Sequence, residues 1–222
     1  MIAWPLRVAL VASGALALGA CASTPCRAPD YVARLESLAL LQSFNADLLS
    51  HDSATLTLER WCADHRLAEP ARIVAQRVRD ADKPLPETLR ARLDIGADEP
   101  VHYRRVQLVC GTHVLSEADN WYVPSRLTAA MNRGLDETDT PFGKVVKPLG
   151  FQRRTLAAEL LWQPLPAKWE MGLQPSDAAP SAMPRHVLRH EAVLYTAAQV
   201  PFSAVVEMYT GELFDFRKAS PR

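Results

Sequence analysis

The chain has no surplus of either charge: Lys plus Arg and Asp plus Glu each total 25 in 222 residues, for a formal net charge of zero. A nucleic-acid-binding surface carries a clustered basic excess, so that class of partner is excluded. There is no Gly-rich phosphate loop and no Gly-x-Ser-x-Gly elbow, and the Ser and His residues show no triad order. The apolar run from Val8 to Leu18, about 11 residues, is too short to span a bilayer as a helix. Neither an internal repeat nor a linker-like composition breaks the chain into units. Cysteine is scarce, at four residues. Cys62-Ala63-Asp64-His65 offers two potential ligands, but no second pair follows at a zinc-like spacing. His186 and His190 are four apart on an expected strand, where they form no helical ligand pair. No metal and no organic cofactor is expected.

What is present first is an amino-terminal address. Arg7 gives a short basic region, Val8 to Leu18 an apolar one, and small residues then lead into Cys21. That order is a secretory signal. The ending Leu18-Gly19-Ala20-Cys21 resembles the lipobox of bacterial lipoproteins. The resemblance implies cleavage before Cys21, with lipid added to its thiol and to the new amino terminus. Several acyl chains on one residue anchor far more firmly than one. The alternative is an ordinary cleaved signal with an incidental cysteine. Ala22 rather than Asp follows the cysteine, which points to the outer membrane. The expectation is a periplasm-facing membrane lipoprotein, with a signal over 1–20, a lipidated tether over 21–29, one domain over 30–217 and a tail over 218–222. Removing 20 residues from 222 leaves 202, enough for one substantial core. Cys26, Cys62 and Cys110 then remain, and an odd number in an oxidising compartment leaves one thiol free or paired with another chain. The chain is read as a monomer.

The pattern turns helical at Asp30, placed to cap. Val32, Leu35, Leu38, Leu41, Phe44 and Leu48 recur at spacings of three and four. Asp52-Ser53 offers a second cap before Leu56, Leu58 and Trp61. Alternation over Arg72 to Arg79 suits a strand, and residues 80–100, with prolines at 84, 86 and 100, read as a loop with one helical turn. From there the chain is mostly β. Tyr103 to Cys110 and Val114 to Val123 form a hairpin around Gly111-Thr112-His113. A short amphipathic helix carries Leu127, Ala130, Met131 and Leu135, and Thr140-Pro141-Phe142-Gly143 is a tight turn. Phe151 to Trp162 is a strand, followed by a proline-rich excursion over 164–184. A last hairpin joins Val187 to Ala198 with Phe202 to Tyr209. Helices first and antiparallel strands after give one α+β domain.

Two features carry chemistry. Arg104-Arg105 lies inside a strand, where neighbours point to opposite faces. Arg105 shares a face with Gln107 and Val109, Arg104 with Val106, Leu108 and Cys110, and the alternation leaves open which arginine is inward. A buried guanidinium requires an anionic partner. Glu207 sits in the apolar strand Ser203-Ala-Val-Val-Glu-Met-Tyr209, either on a solvent face or aimed into a pocket. Trp121-Tyr122 reads as ordinary core at a strand end.

Arg105-Val-Gln-Leu-Val-Cys110, the hairpin ending Trp121-Tyr122-Val123-Pro124, the turn Asp139-Thr-Pro-Phe-Gly-Lys144 and the strand with Glu207 stand in the order seen in bacterial chorismate lyase. Asp52-Ser53-Ala54-Thr55 after the first helix also resembles that family. The likeness runs from about Leu38 to Tyr209. It implies a six-stranded antiparallel sheet packed with helices, with a small product enclosed beneath two helical flaps. It also implies that Arg105 binds an aromatic carboxylate, that Glu207 stands near the ring hydroxyl, and that backbone groups at Ala54 and Phe142 contact the ligand. Thr55 and Asn120 complete the expected substrate-binding set. The lyase eliminates pyruvate from an enol ether to give 4-hydroxybenzoate without metal or organic cofactor. This sequence differs at Asn120, where the family carries a second basic residue, and in the insertion 164–184. The interval from Pro201 to Glu207 is one residue longer, so a bulge or a different register is expected, with Glu212 as the rival acid.

Two functions follow. One is a lyase-like enzyme using Arg105 and Glu207. The other is a non-catalytic module that binds a small aromatic or organic carboxylate, as the same fold does in effector-sensing domains of bacterial transcription regulators.

Overall fold

The computed structural model describes residues 29–79, 81–96, 98–171 and 182–219. The expected signal segment, Cys21, Cys26 and the tether through residue 28 lie outside the described residues, as do 172–181 and the tail from 220. In chain order the elements are α1 (Pro29–Leu49), α2 (Ala54–Asp64), β1 (Ile73–Arg77), α3 (Glu87–Leu93), β2 (His102–Cys110), β3 (His113–Tyr122), α4 (Ala129–Glu137), α5 (Phe142–Val145), β4 (Gln152–Leu160), β5 (His186–Tyr195), β6 (Pro201–Thr210) and α6 (Phe216–Ala219). The six strands form one antiparallel sheet in the order β1-β2-β3-β6-β5-β4. The α+β class and the strand number are those expected.

Helices α1 and α2 cover one face of the sheet. Leu41, Phe44 and Leu48 of α1 and Leu58 and Trp61 of α2 pack on Ile73, Leu108, Leu188 and Tyr209. Fully burying a side chain of this size contributes roughly 1.5–3 kcal/mol. Phe44 meets Trp61 edge-on at 4.9 Å and Tyr209 at 5.3 Å, and the Trp61 indole N–H donates to the Leu213 carbonyl at 3.0 Å. Cys62 and Cys110 form a disulfide that links α2 to β2. Further along the same face, α4 and α5 build a second cluster with Tyr122, Leu194 and Phe202. On the opposite face α3 places Leu89 and Leu93 over Trp121, Val193 and Ala204.

Four local expectations change. Asp30 lies inside α1 rather than before it. At the start of that helix Tyr31 takes the buried position, while Val32 is 45% exposed. The proline-bounded 80–100 stretch holds a two-turn helix, since Pro86 supplies a start and Leu89 and Leu93 an apolar edge. Thr140-Pro141 leads into the first turn of α5, because Pro141 stands just before it and cannot interrupt its hydrogen bonds.

Candidate functional site

Between the first two clusters the sheet face is not filled. A cavity of about 50 Å³ remains there, several times the roughly 10–15 Å³ that one water needs. Its floor comes from Arg104, Val106 and Leu108 on β2, Ala118 and Asn120 on β3, Val205 and Glu207 on β6, and Leu194 on β5. Its roof is the start of α2 (Asp52 to Thr55) and of α5 (Phe142, Gly143), and Phe151 and Arg153 close the β4 side.

The roof follows from local sequence. The Ser53 side chain caps α2, accepting from the Leu56 N–H at 3.4 Å. The first N–H groups of a helix have no partner within it, and here they belong to residues lining the cavity. The start of α5 presses against this cap. A Cβ at Gly143 would stand 2.9 Å from Ser53 Oγ and 3.2 Å from Thr55 Oγ1, so only glycine fits without displacement. Asp52 Oδ1 accepts the backbone N–H of Arg153 at 2.8 Å, tying the roof to the edge strand.

Register places the floor. Arg104 pairs with Asn120, which pairs with Val205; Val106 pairs with Ala118, which pairs with Glu207. Arg104 and Glu207 are thus on one face, two strands apart and two residues out of step. Strand geometry then separates their Cα atoms by about 12 Å.

The two ends differ in chemistry. Glu207 is buried, and its Oε2 accepts from Arg153 Nη2 at 2.6 Å and from the Tyr209 hydroxyl at 2.9 Å. Burial opposes the charge on Arg153, but Glu207 outweighs it and raises its pKa. Burial and Glu207 also push the Tyr209 phenol well above its usual range. His190, the cross-strand partner of Glu207, donates its Nε2–H to Asn45 Oδ1 at 2.8 Å. Burial and then Arg153 drive its pKa down to about 4, so it is neutral near pH 7. At the other end Arg104 is 4% exposed. Among the described residues it makes one long hydrogen bond, 3.4 Å from Nη2 to the Thr140 carbonyl, and its Nε and Nη1 have no hydrogen-bond partner. Burial, with Arg77 acting in the same direction, pushes its pKa down to about 10, which still leaves it cationic at neutral pH. Asn120 cannot neutralise it, and its Oδ1 accepts from the Ser203 hydroxyl at 2.6 Å.

The structure brings Glu207, Ala54, Thr55, Asn120 and Phe142 together around the cavity. It does not bring Arg105. That side chain is 42% exposed on the other face, 3.9 Å from Asp119, and the inward arginine is Arg104. The reason is the pleat: the inner face carries Val106 and Leu108, the outer face Gln107. Trp121 and Tyr122 are core. Glu212 is not a rival for the cavity; it accepts the Val114 N–H at 2.7 Å, near the β2–β3 turn. The extra residue before Glu207 is absorbed as an irregularity, with Leu194 opposite Ser203 and Tyr195 opposite Pro201. Arg153 and His190 were not among the expected site residues. The doublet Arg153-Arg154 repeats the pattern of Arg104-Arg105 at the head of another strand, and that was the available signal. Among the described residues, three convergent His, Cys, Asp or Glu donors occur around His113 and not in this cavity.

No protein-family model matches the chain. It is 52% identical over 188 residues to "Uncharacterized protein y4mC" of Sinorhizobium fredii, covering 83% of this chain and 79% of that one. Among solved structures it is similar to PhnF from Mycobacterium smegmatis, at 18% identity over 74% of this chain and 66% of that one, with a TM-score of 0.47. The effector domain of the same PhnF matches at 16% identity, 72% of this chain and 90% of that one, TM-score 0.44. A GntR-family transcriptional regulator from Enterococcus faecalis matches at 13%, 63% and 95%, TM-score 0.40. The chain therefore spans just under two thirds of full-length PhnF.

Proposed function

We propose that this chain, which belongs to the family of the Sinorhizobium fredii protein y4mC, binds a small organic carboxylate in the cavity between α2, α5 and the sheet. The ligand's carboxylate sits on Arg104, and its far end lies against Glu207. The observation that carries this reading is a buried guanidinium with two unpartnered nitrogens lining a cavity. An interior cation without a counter-charge costs several kcal/mol, and a planar carboxylate accepts bidentately from such a fork. The Glu207 end selects a ligand that donates a hydrogen bond.

The test is calorimetry and thermal shift with a panel of benzoate, hydroxybenzoates and short aliphatic carboxylates. Binding by at least one, lost in Arg104→Met and kept in Arg105→Ala, is the expected result. A panel that shifts nothing, or binding that survives Arg104→Met, ends the reading.

A second reading, a lyase releasing pyruvate from chorismate or a related enol ether, draws on one observation: a guanidinium and an acid face the same cavity from its two ends. It stands second because Glu207 is already held by Arg153 and Tyr209. Coupling pyruvate release to lactate dehydrogenase decides it, and no release above background from folded protein removes it. The amino-terminal order of basic, apolar and small residues before Cys21 supports export and lipid anchoring on the periplasmic side, at the outer membrane. Labelled fatty acid incorporated by the parent chain and absent from Cys21→Ala is the expected outcome. A ligand-binding site alone requires no protein partner and no second copy.

A further inference from the structure

Glu212, displaced from the cavity, has company of its own. His113 opens β3 just after the β2–β3 turn, and Glu212 and Asp215 lie in and after the 3₁₀ turn Gly211–Phe214 that follows β6. One ligand atom from each, a ring nitrogen and two carboxylate oxygens, lies within 4.8 Å of the others. His113 Nδ1 is 3.3 Å from Asp215 Oδ2, across 102 residues of sequence. We infer that these three side chains form a divalent transition-metal site, with Zn²⁺ the cation its donors suit.

The donor set supports this. One imidazole and two carboxylates give three protein ligands and leave room for water, a set that suits zinc and its neighbours better than Mg²⁺ or Ca²⁺, which favour oxygen alone. The Glu212 carboxylate is already oriented: its Oε2 accepts the Val114 N–H at 2.7 Å, while its backbone N–H donates to Thr210 Oγ1 at 3.2 Å. Ligating carboxylates are held by such outer hydrogen bonds. The side chains of His113 and Asp215 are 25% and 18% exposed, so the cluster is sheltered yet open to an ion. Two acids face one imidazole, and Arg185, a cation acting on Glu212, is engaged by Glu117. A bound ion would fasten the β2–β3 turn to the segment after β6.

Titration of the EDTA-treated, desalted full chain with Zn²⁺ tests the site by calorimetry and melting temperature. One saturable ion per chain and a raised melting temperature are expected, with Mg²⁺ and Ca²⁺ failing to compete. His113→Ala and Glu212→Gln should each weaken binding by about tenfold or more. Gln keeps an acceptor for the Val114 N–H, so that variant decides the matter even if His113→Ala folds poorly. No saturable zinc binding, or binding that Glu212→Gln leaves unchanged, overturns the site and marks His113 and Asp215 as a plain ion pair.

Discussion

Arg104 and Arg153 are two buried arginines on one face of one sheet, at opposite ends of one cavity, and they have opposite circumstances. Arg153 has a carboxylate at 2.6 Å, and that carboxylate has a second donor in Tyr209. Arg104 has a distant carbonyl and, among the described residues, no paired carboxylate; Asp139 and Asp136 act on its charge without a hydrogen bond, and burial outweighs them. The β4–β6 end is thus neutralised in charge, although Arg153 Nε and His190 Nδ1 make no hydrogen bond among the described residues. The β2 end lacks such a pair, and the proposed carboxylate would supply it. Burial alone does not distinguish the two arginines; a directly bound carboxylate does.

Breaking the neutralised end has the largest effect. Glu207→Gln leaves Arg153 buried without its anion and should cost about 3–5 kcal/mol in urea unfolding. Acid attacks the same end more gently. His190 titrates near 6.5 when unfolded and at about 4 when folded, so its proton binds the unfolded chain more tightly. Stability is full above pH 6.5 and falls as pH drops toward 4, by roughly 3 kcal/mol. Unfolding followed across that window should show the slope, and His190→Gln should flatten it. The β2 end responds with the other sign. Arg104→Met removes an unneutralised interior charge while keeping the packing, and should leave stability unchanged or raise it by about 1 kcal/mol, while abolishing carboxylate binding. If it destabilises as strongly as Glu207→Gln, the two ends are alike and the contrast fails. Arg105→Ala, on the solvent side, should change stability by less than about 0.5 kcal/mol and leave binding intact.

Much of this was legible in the chain. Leu41, Phe44 and Leu48 at helical spacing marked the covering helix, and Asp52-Ser53 marked the start of α2 that became the roof. The hairpins declared themselves through alternation and turn residues. Glu207 stood out because a carboxylate in so apolar a strand must be solvated or held. Arg104 and Arg105 could not be separated so easily. A one-residue difference in register exchanges faces, and the short motif that carried the likeness began at Arg105. The composition of the two faces, Val106 and Leu108 against Gln107, was the better guide. Arg153 was hidden because its partner lies 54 residues away, two strands over in the sheet. Long-range pairing of this kind leaves no local periodicity. The Cys62–Cys110 bond likewise became visible only when α2 was laid against β2.

The irregularity at the start of β6 bears on how this chain tolerates insertion and deletion. The residue added between Pro201 and Ser203 turns Phe202 toward the cavity side, where its ring lies 6.3 Å from that of Phe142 in the roof. The residue count within the start of β6 therefore matters more than that of the loop ahead of it. Lengthening at Ala198 or Gln199 should be absorbed by solvent-facing backbone, whereas loss of a single residue at 202 would rotate the aromatic out of its seat and withdraw support from Phe142. Insertion is therefore expected to be tolerated before Pro201 and deletion resisted just after it.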